Sequence, residues 1–397
     1  MKTTANRPFS LLLKPAAADC NLRCQYCFYL GRAGLYPETI RHRMTDAVLE
    51  RVVSSYMATV QPRYAFGWQG GEPTLMGAAF FRRAAALQAK YGRRGSVVAN
   101  GLQTNATLLD DELCAVMAEY NFLAGVSLDG PPDIHDHYRR TIDGKGTYAA
   151  TLQGMNALRR HGVEFNVLTL VTAVNQERGA EVYRHLRDLG LNHHQYIPCV
   201  EWQANGVPAA FSVSPAGWGR FLLDVFEEWY ARDVGRVSVR LFDALLVFLA
   251  FGVYELCHLG GDCRRYFVIE HNGDVYPCDF FVARERLLGN IMDHDWDFFL
   301  QSTDHAGFSR LKTEWPEPCR ECDFLAVCSG DCLKHRLFPG SGAGSPSRLC
   351  EGWRFFFQRA LPRLEDLAAR LRNDRGLPAR AFRRPGRNEP CFCGSGR

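Results

Sequence analysis

Short apolar runs rich in β-branched residues recur along the first half of the chain, separated by longer stretches with helical periodicity. The runs are PFSLLLKPA (8–16), RYAFGWQGG (63–71), SVVANGLQTN (96–105), FLAGVSLDG (122–130), EFNVLTLVT (164–172) and HHQYIPCV (193–200). Near-continuous apolarity predicts strands covered on both faces. Between them, TDAVLERVVSSYMAT (45–59), GAAFFRRAAALQAKYG (77–92), DDELCAVMAEY (110–120), YAATLQGMNALRRHG (148–162) and GAEVYRHLRDLG (179–190) predict amphipathic helices. Thr45 and Asp110 fit N-caps, and Gly92, Gly162 and Gly190 fit helix C-termini. Strand and helix alternate six times, which predicts parallel strands with right-handed crossovers. Six units fall short of a closed eightfold barrel, so the expected fold class is α/β, an open partial (β/α)6 barrel over residues 8–233.

The polar and glycine-rich words collect at the C-terminal ends of these strands. A cysteine triplet follows the first, QGGEP the second, QTNAT the third, SLDG the fourth and IPC the sixth. In barrels of parallel strands that face carries the chemistry. Gly70 and Gly71 are expected to let backbone approach a ligand without a Cβ clash.

Composition changes the picture through cysteine. The 397 residues are 47% hydrophobic and 23% charged, with a net charge of +4, too mild to argue for nucleic acid. No run is long enough for a membrane span or a secretion signal; the longest, LFDALLVFLAFGVYEL (241–256), carries Asp243 and reads as a buried helix. The expected setting is cytoplasmic, where disulfides are rare. The 15 cysteines are therefore candidates for metal binding. Cys114 and Cys199 stand alone and read as buried apolar residues. Cys20, Cys24 and Cys27 fall in eight residues, and eight more lie between 257 and 350. Three thiolates leave one iron of a four-iron cluster without a protein ligand, an open position for substrate; zinc with a distant fourth ligand would also use them.

CNLRCQYC (20–27) resembles the Cys-x3-Cys-x2-Cys signature of radical S-adenosylmethionine enzymes, whose fold is the partial (β/α)6 barrel. The resemblance implies a [4Fe-4S] cluster on Cys20, Cys24 and Cys27. Its open iron chelates S-adenosylmethionine, which is then cleaved to methionine and a 5′-deoxyadenosyl radical. It also implies a cofactor pocket of Tyr26, Gly70, Gly71, Glu72, Ser127, Arg139 and Ile197. SLDG suits a turn as well, so Ser127 and Asp129 have a plain structural reading.

The later cysteines, with CRECDFLAVCSGDC (319–332) at their centre, number enough for two four-thiolate sites or for one zinc ribbon with four spares. Their pattern resembles the SPASM domain, and more closely that of anaerobic sulfatase-maturating enzymes, over residues 5–370. The resemblance implies one auxiliary [4Fe-4S] cluster on Cys257, Cys263, Cys278 and Cys332, and another on Cys319, Cys322, Cys328 and Cys350. Cys328 and Cys332 lie about one helical turn apart, a spacing that lets them face different sites.

The implied activity is oxidation of a Cys or Ser side chain of a sulfatase to Cα-formylglycine. Asp279, beside Cys278, would be the base, and the remaining electron would leave through the auxiliary clusters. His193, His194 and Tyr196 lie near the same rim and read first as strand-end polar residues. The implied partners are an unfolded sulfatase segment and a small redox protein as electron donor. Two other readings are a peptide maturase forming thioether crosslinks and a non-catalytic zinc-binding protein. The expected domains are a barrel at 1–233, a cluster domain at 234–372 and a tail at 373–397. That tail resembles half of a SEC-C motif, with Cys391 and Cys393 too few to hold a metal.

Overall fold

The structure is a computed structural model that describes residues 7–338, 341 and 345–374. Cys391 and Cys393 lie outside the described residues. Its described residues form two compact units: 7–168 with 264–308, and 169–263 with 309–338, 341 and 345–374. The chain thus leaves the first unit, returns to it and leaves again, so compactness does not follow a single cut at 233.

In the first unit, β1 (Ser10–Lys14), β2 (Tyr64–Trp68), β3 (Val98–Thr104), β4 (Leu123–Ser127) and the start of β5 (Phe165–Val171) pair in sequence order, all parallel. The helices α1 (Asp46–Ala58), α2 (Gly77–Tyr91), α3 (Asp111–Glu119), α4 (Pro132–Tyr138) and α5 (Tyr148–Arg160) connect them. Thr45 caps α1 by accepting from Val48 N at 3.3 Å, and Asp110 caps α3 by accepting from Leu113 N at 2.8 Å. Gly162 and Gly190 have left-handed φ values of 67° and 73°, as C-terminal glycines do, whereas Gly92 closes α2 with φ −66°. Leu11, Leu13, Phe66, Trp68, Leu102, Ala124 and Val126 are buried, as strands covered on both faces require.

A further strand, not expected from local patterning, lies on the free side of β1. There β8 (Tyr266–Glu270) pairs with β1 in parallel, Ser10 opposite Tyr266 and Lys14 opposite Glu270. β9 (Asp274–Tyr276) and β10 (Gly289–Asn290) extend the sheet by antiparallel pairing. A segment assigned from sequence to the cysteine-rich region therefore belongs to the barrel sheet. It sets the Cys278 loop beside the strand that leads into the cysteine triplet.

In the second unit, β6 (His193–Pro198), which follows α6 (Gly179–Asp188), pairs in parallel with β7 (Ser238–Val239), which follows α7 (Pro215–Arg232). The apolar run at 241–256 forms the buried α8 (Arg240–Phe251). No helix among the described residues is long and apolar enough to cross a membrane. The helix Cys350–Asp374 lies against α7 so closely that a Cβ on Gly352 would come 2.1 Å from Pro215 O.

Candidate active site and cluster cysteines

The loop after β1 turns through Ala17, held at φ 46°. Ala17 O accepts from Gly71 N at 2.6 Å, and Asp19 O accepts from Glu72 N at 2.8 Å. A Cβ on Gly70 would stand 2.7 Å from Ala17 O, and one on Gly71 2.0 Å from Asp19 O. The two glycines thus serve a backbone-to-backbone contact between the GGEP loop and the cysteine loop. The expectation that their missing Cβ atoms admit a ligand is a separate matter from this loop contact, which alone requires glycine at both positions.

Glu72 is buried, and its carboxylate accepts from Thr74 N (3.1 Å), Thr74 Oγ1 (2.7 Å), Thr104 Oγ1 (2.7 Å) and Asn105 N (2.8 Å). These bonds fasten the QTNAT loop to the GGEP loop. Asn105 Nδ2 then reaches Asn21 Oδ1 at 2.9 Å and Cys20 Sγ at 3.8 Å. Burial pushes the Cys20 thiol up to about 12 and raises Cys24 as well. A bare thiolate is disfavoured there, so bound metal is what would hold these sulfurs ionised.

Tyr26, Asp129 and Arg139 form one buried group. Tyr26 Oη donates to Asp129 Oδ2, which also receives Arg139 Nε at 3.1 Å. The guanidinium lies 5.5 Å from the Tyr26 ring centroid. SLDG is thus more than a turn, because Asp129 fixes two of the expected cofactor residues. Ser127 is buried at the end of β4 beside it. Removing one partner of such a buried pair costs about 3–5 kcal/mol. Asp129→Ala should lower unfolding stability by that order in anaerobic urea titration, with Arg139 left uncompensated.

At the C-terminal end of β1, Lys14 is 1% exposed, with its ammonium 4.4 Å from the Tyr29 ring centroid. Burial pulls it below the ordinary lysine value, and the charges of Asp279, Glu270, Cys278 and Cys27 push it back up. Tyr29 Oη donates to the buried Glu270. Asp279 is buried to 9% exposure, and Tyr266 Oη donates to its Oδ1 at 3.0 Å while standing 3.3 Å from Cys278 Sγ. Sequence reading missed Lys14, Tyr29 and Glu270; the pairing of β1 with β8 is what assembles them.

In the second unit several cysteines lie close enough for the charge of one to disfavour ionisation of another. Cys257 acts on both Cys263 and Cys332. Cys319 and Cys322 act on Cys350, and Cys350 and Cys319 act on Cys328. Cys328 and Cys332 therefore keep different company, but no helical turn separates them. The helix ends at Cys328, and Ser329, Gly330 and Asp331 follow with left-handed φ of 48°, 71° and 60°. All cysteines among the described residues are free thiols. No three His, Cys, Asp or Glu side chains among those residues converge on a single metal ion. A cubane spreads its thiolates over separate iron corners, so wider spacing suits it.

Ile197 is half-buried in β6 of the second unit. His194 is buried beneath α6 and α7, with Nδ1 3.0 Å from Tyr196 Oη and Nε2 2.9 Å from Leu191 O. Its ring packs on Tyr183, and the Tyr196 ring on Phe221. Both are core groups, while His193 is exposed. Burial lowers His194 to about 4. Its contribution to stability is therefore full above pH 6.5 and is lost as pH falls toward 4, on the order of 3 kcal/mol. The stability profile of His194→Phe should be flatter than that of the wild type over this interval.

The radical SAM superfamily pattern matches residues 16–189, and the SPASM iron–sulfur cluster-binding domain matches residues 261–323. The serine-type anaerobic sulfatase-maturating enzyme of Bacteroides thetaiotaomicron is 37% identical over 396 residues, covering 94% of this chain and 95% of that one. This chain belongs to the anaerobic sulfatase-maturating enzymes. The cysteine-type enzyme of Clostridium perfringens is 33% identical over 369 residues, covering 92% of this chain and all of its own. The solved structure of native anSMEcpe with bound AdoMet and Cp18Cys peptide is 33% identical with TM-score 0.85, covering 92% of this chain and 100% of that chain. SuiB of Streptococcus suis bound to S-adenosylmethionine, at 16% identity and TM-score 0.62, shares the fold. Membership makes the protein a radical SAM enzyme with S-adenosylmethionine and three [4Fe-4S] clusters as cofactors, which removes the zinc-binding alternative.

Proposed function

We propose that the protein oxidises a Cys or Ser side chain in an unfolded sulfatase segment to Cα-formylglycine, with Asp279 taking the substrate thiol or hydroxyl proton. One observation supports this most: Tyr266 Oη lies within 3.3 Å of both the Asp279 carboxylate and Cys278 Sγ. A proton acceptor and a cluster ligand thus share one orienting phenol.

When bound, the clusters and S-adenosylmethionine supply the radical that removes a hydrogen atom from the substrate Cβ and accept the electron left behind. Cys20, Cys24 and Cys27 would hold the first cluster. Cys319, Cys322, Cys328 and Cys350 would hold an auxiliary one. Cys257, Cys263 and Cys332 would hold the other, with Cys278 as the ligand the family pattern adds. Tyr26, Gly70, Gly71, Glu72, Ser127, Arg139 and Ile197 are the proposed S-adenosylmethionine contacts. The Glu72 carboxylate accepts four internal hydrogen bonds, three on Oε1 and one on Oε2, which leaves the motif's backbone carbonyls and the remaining Oε2 lone pair to meet an amino group. Asp129 fixes the Arg139 guanidinium and the Tyr26 ring, presenting them in one orientation. We place the protein in the cytoplasm, where thiols stay reduced, with a small redox protein as electron donor.

The test is anaerobic incubation of the reconstituted protein with S-adenosylmethionine, a reductant and peptides bearing Cys-x-Pro-x-Arg or Ser-x-Ala-x-Arg. Mass spectrometry should find formylglycine in at least one. A crosslinked product, or no product from either peptide, refutes the reading.

A further inference from the structure

Lys312 is completely buried, in the last turn of the helix Thr303–Thr313. Its ammonium donates to His258 O at 2.9 Å, Ser329 O at 2.7 Å and Asp331 O at 2.5 Å. Those carbonyls belong to residues next in sequence to Cys257, Cys328 and Cys332, so one cation binds backbone beside both cysteine groups of the second unit. Arg336, also buried, donates to Lys312 O at 3.0 Å and Glu314 O at 2.6 Å, and its Nε has no hydrogen-bond partner. The Lys312 charge acts on Cys263, Cys328 and Cys332, and the Arg336 charge on Cys319, Cys263 and Cys328.

Among the described residues neither cation hydrogen-bonds a carboxylate, and the charge of Asp331 acts on both, one anion against two cations. The nearby Asp331 carboxylate accepts from His335 Nδ1 at 2.8 Å and Ser347 Oγ at 2.6 Å. Buried charge is costly unless compensated. Four thiolates and a cubane carry net negative charge, and each one-electron reduction adds to it. A fixed positive charge in a medium of low dielectric stabilises the added electron.

We propose that Lys312 and Arg336 form a buried cation pair between the two auxiliary cluster sites that raises the reduction potentials of those clusters and so makes them competent to accept the substrate's electron. The proposal rests on the ligand assignment given above. These are positioning residues acting through the clusters, without touching substrate.

The experiment uses full-length protein carrying Cys20, Cys24 and Cys27 all changed to alanine, reconstituted anaerobically and titrated with dithionite under EPR. About 8 irons per chain are expected; a different iron content refutes the ligand assignment and overturns the proposal that rests on it. Within that background, Lys312→Met should make at least one auxiliary cluster tenfold or more harder to reduce, a shift of ~59 mV for one electron. Lys312→Arg, which keeps the charge, should stay near the parent. Arg336→Gln provides an independent removal of charge should Lys312→Met lose iron. Unchanged potentials at full iron content in either neutral variant overturn the proposal. Loss of iron from both neutral variants overturns it too, since the pair would then be a strut for the left-handed turn at 329–331.

Discussion

With Cys20, Cys24 and Cys27 all replaced by alanine, iron per reconstituted chain should fall from about 12 to about 8, and S-adenosylmethionine cleavage should cease. The three thiols stand on one short loop; the Cys20 sulfur makes only weak contacts with Leu22 N, Asn105 Nδ2 and Asn21 Oδ1, and Cys27 packs against the core cluster that includes Tyr29 and Val268. That loop is fixed independently by its backbone bonds to Gly71 and Glu72. Alanine at the three positions should therefore remove one cluster and leave the barrel standing. Circular dichroism should match the wild type, and auxiliary EPR signals should persist. Continued formation of 5′-deoxyadenosine by the triple variant would show that the radical originates elsewhere. Loss of all iron would show that the cysteine groups are not independent sites.

The second large effect is expected at Asp279. Asp279→Asn keeps the shape of the side chain and its bond from Tyr266 Oη but removes the proton acceptor. The proposed S-adenosylmethionine contacts are other residues, so 5′-deoxyadenosine should still form. Formylglycine should fall by about 10²- to 10⁴-fold, the usual effect of a positioned general base. Both products are measured in one reaction, because their ratio carries the answer. Parallel loss of both would make Asp279 a support for the Cys278 loop. Near-normal formylglycine would move the base elsewhere. His194 and Tyr196 are poor replacements, since each is packed under helices and bonded to the other.

The alternation of strands and helices was legible because burial on both faces writes a continuous apolar run, and the caps at Thr45 and Asp110 write a local signal. The cysteine triplet and the SPASM pattern were legible because ligand spacing is covalent. What failed to show was non-local. Nothing in SLLLK (10–14) announces that YFVIE (266–270) pairs with it, so Lys14, Tyr29, Glu270 and Asp279 could not be brought together from sequence. Lys312 drew no sequence expectation; the converging carbonyls of residues 258, 329 and 331 are what reveal an interior cation. Gly70 and Gly71 were noticed for their missing Cβ atoms, but the sequence did not show that the chain's own cysteine loop packs against them. Between Cys328 and Cys332 the spacing was read as helix, and three left-handed residues stand there instead.

The pairing of β1 with β8 also has a consequence during synthesis. Residues 10–14 emerge from the ribosome early, whereas residues 266–270 follow roughly 10–50 s later at about 5–20 residues per second. Through that interval β1 has β2 available on one side and an open, apolar edge on the other. Such an edge invites pairing with another nascent chain. A fragment stopped at residue 233 would lack β8 and keep that side of β1 unpaired. High contact order of this kind slows folding, and slow translation or a chaperone that shields strand edges should raise the yield of native protein.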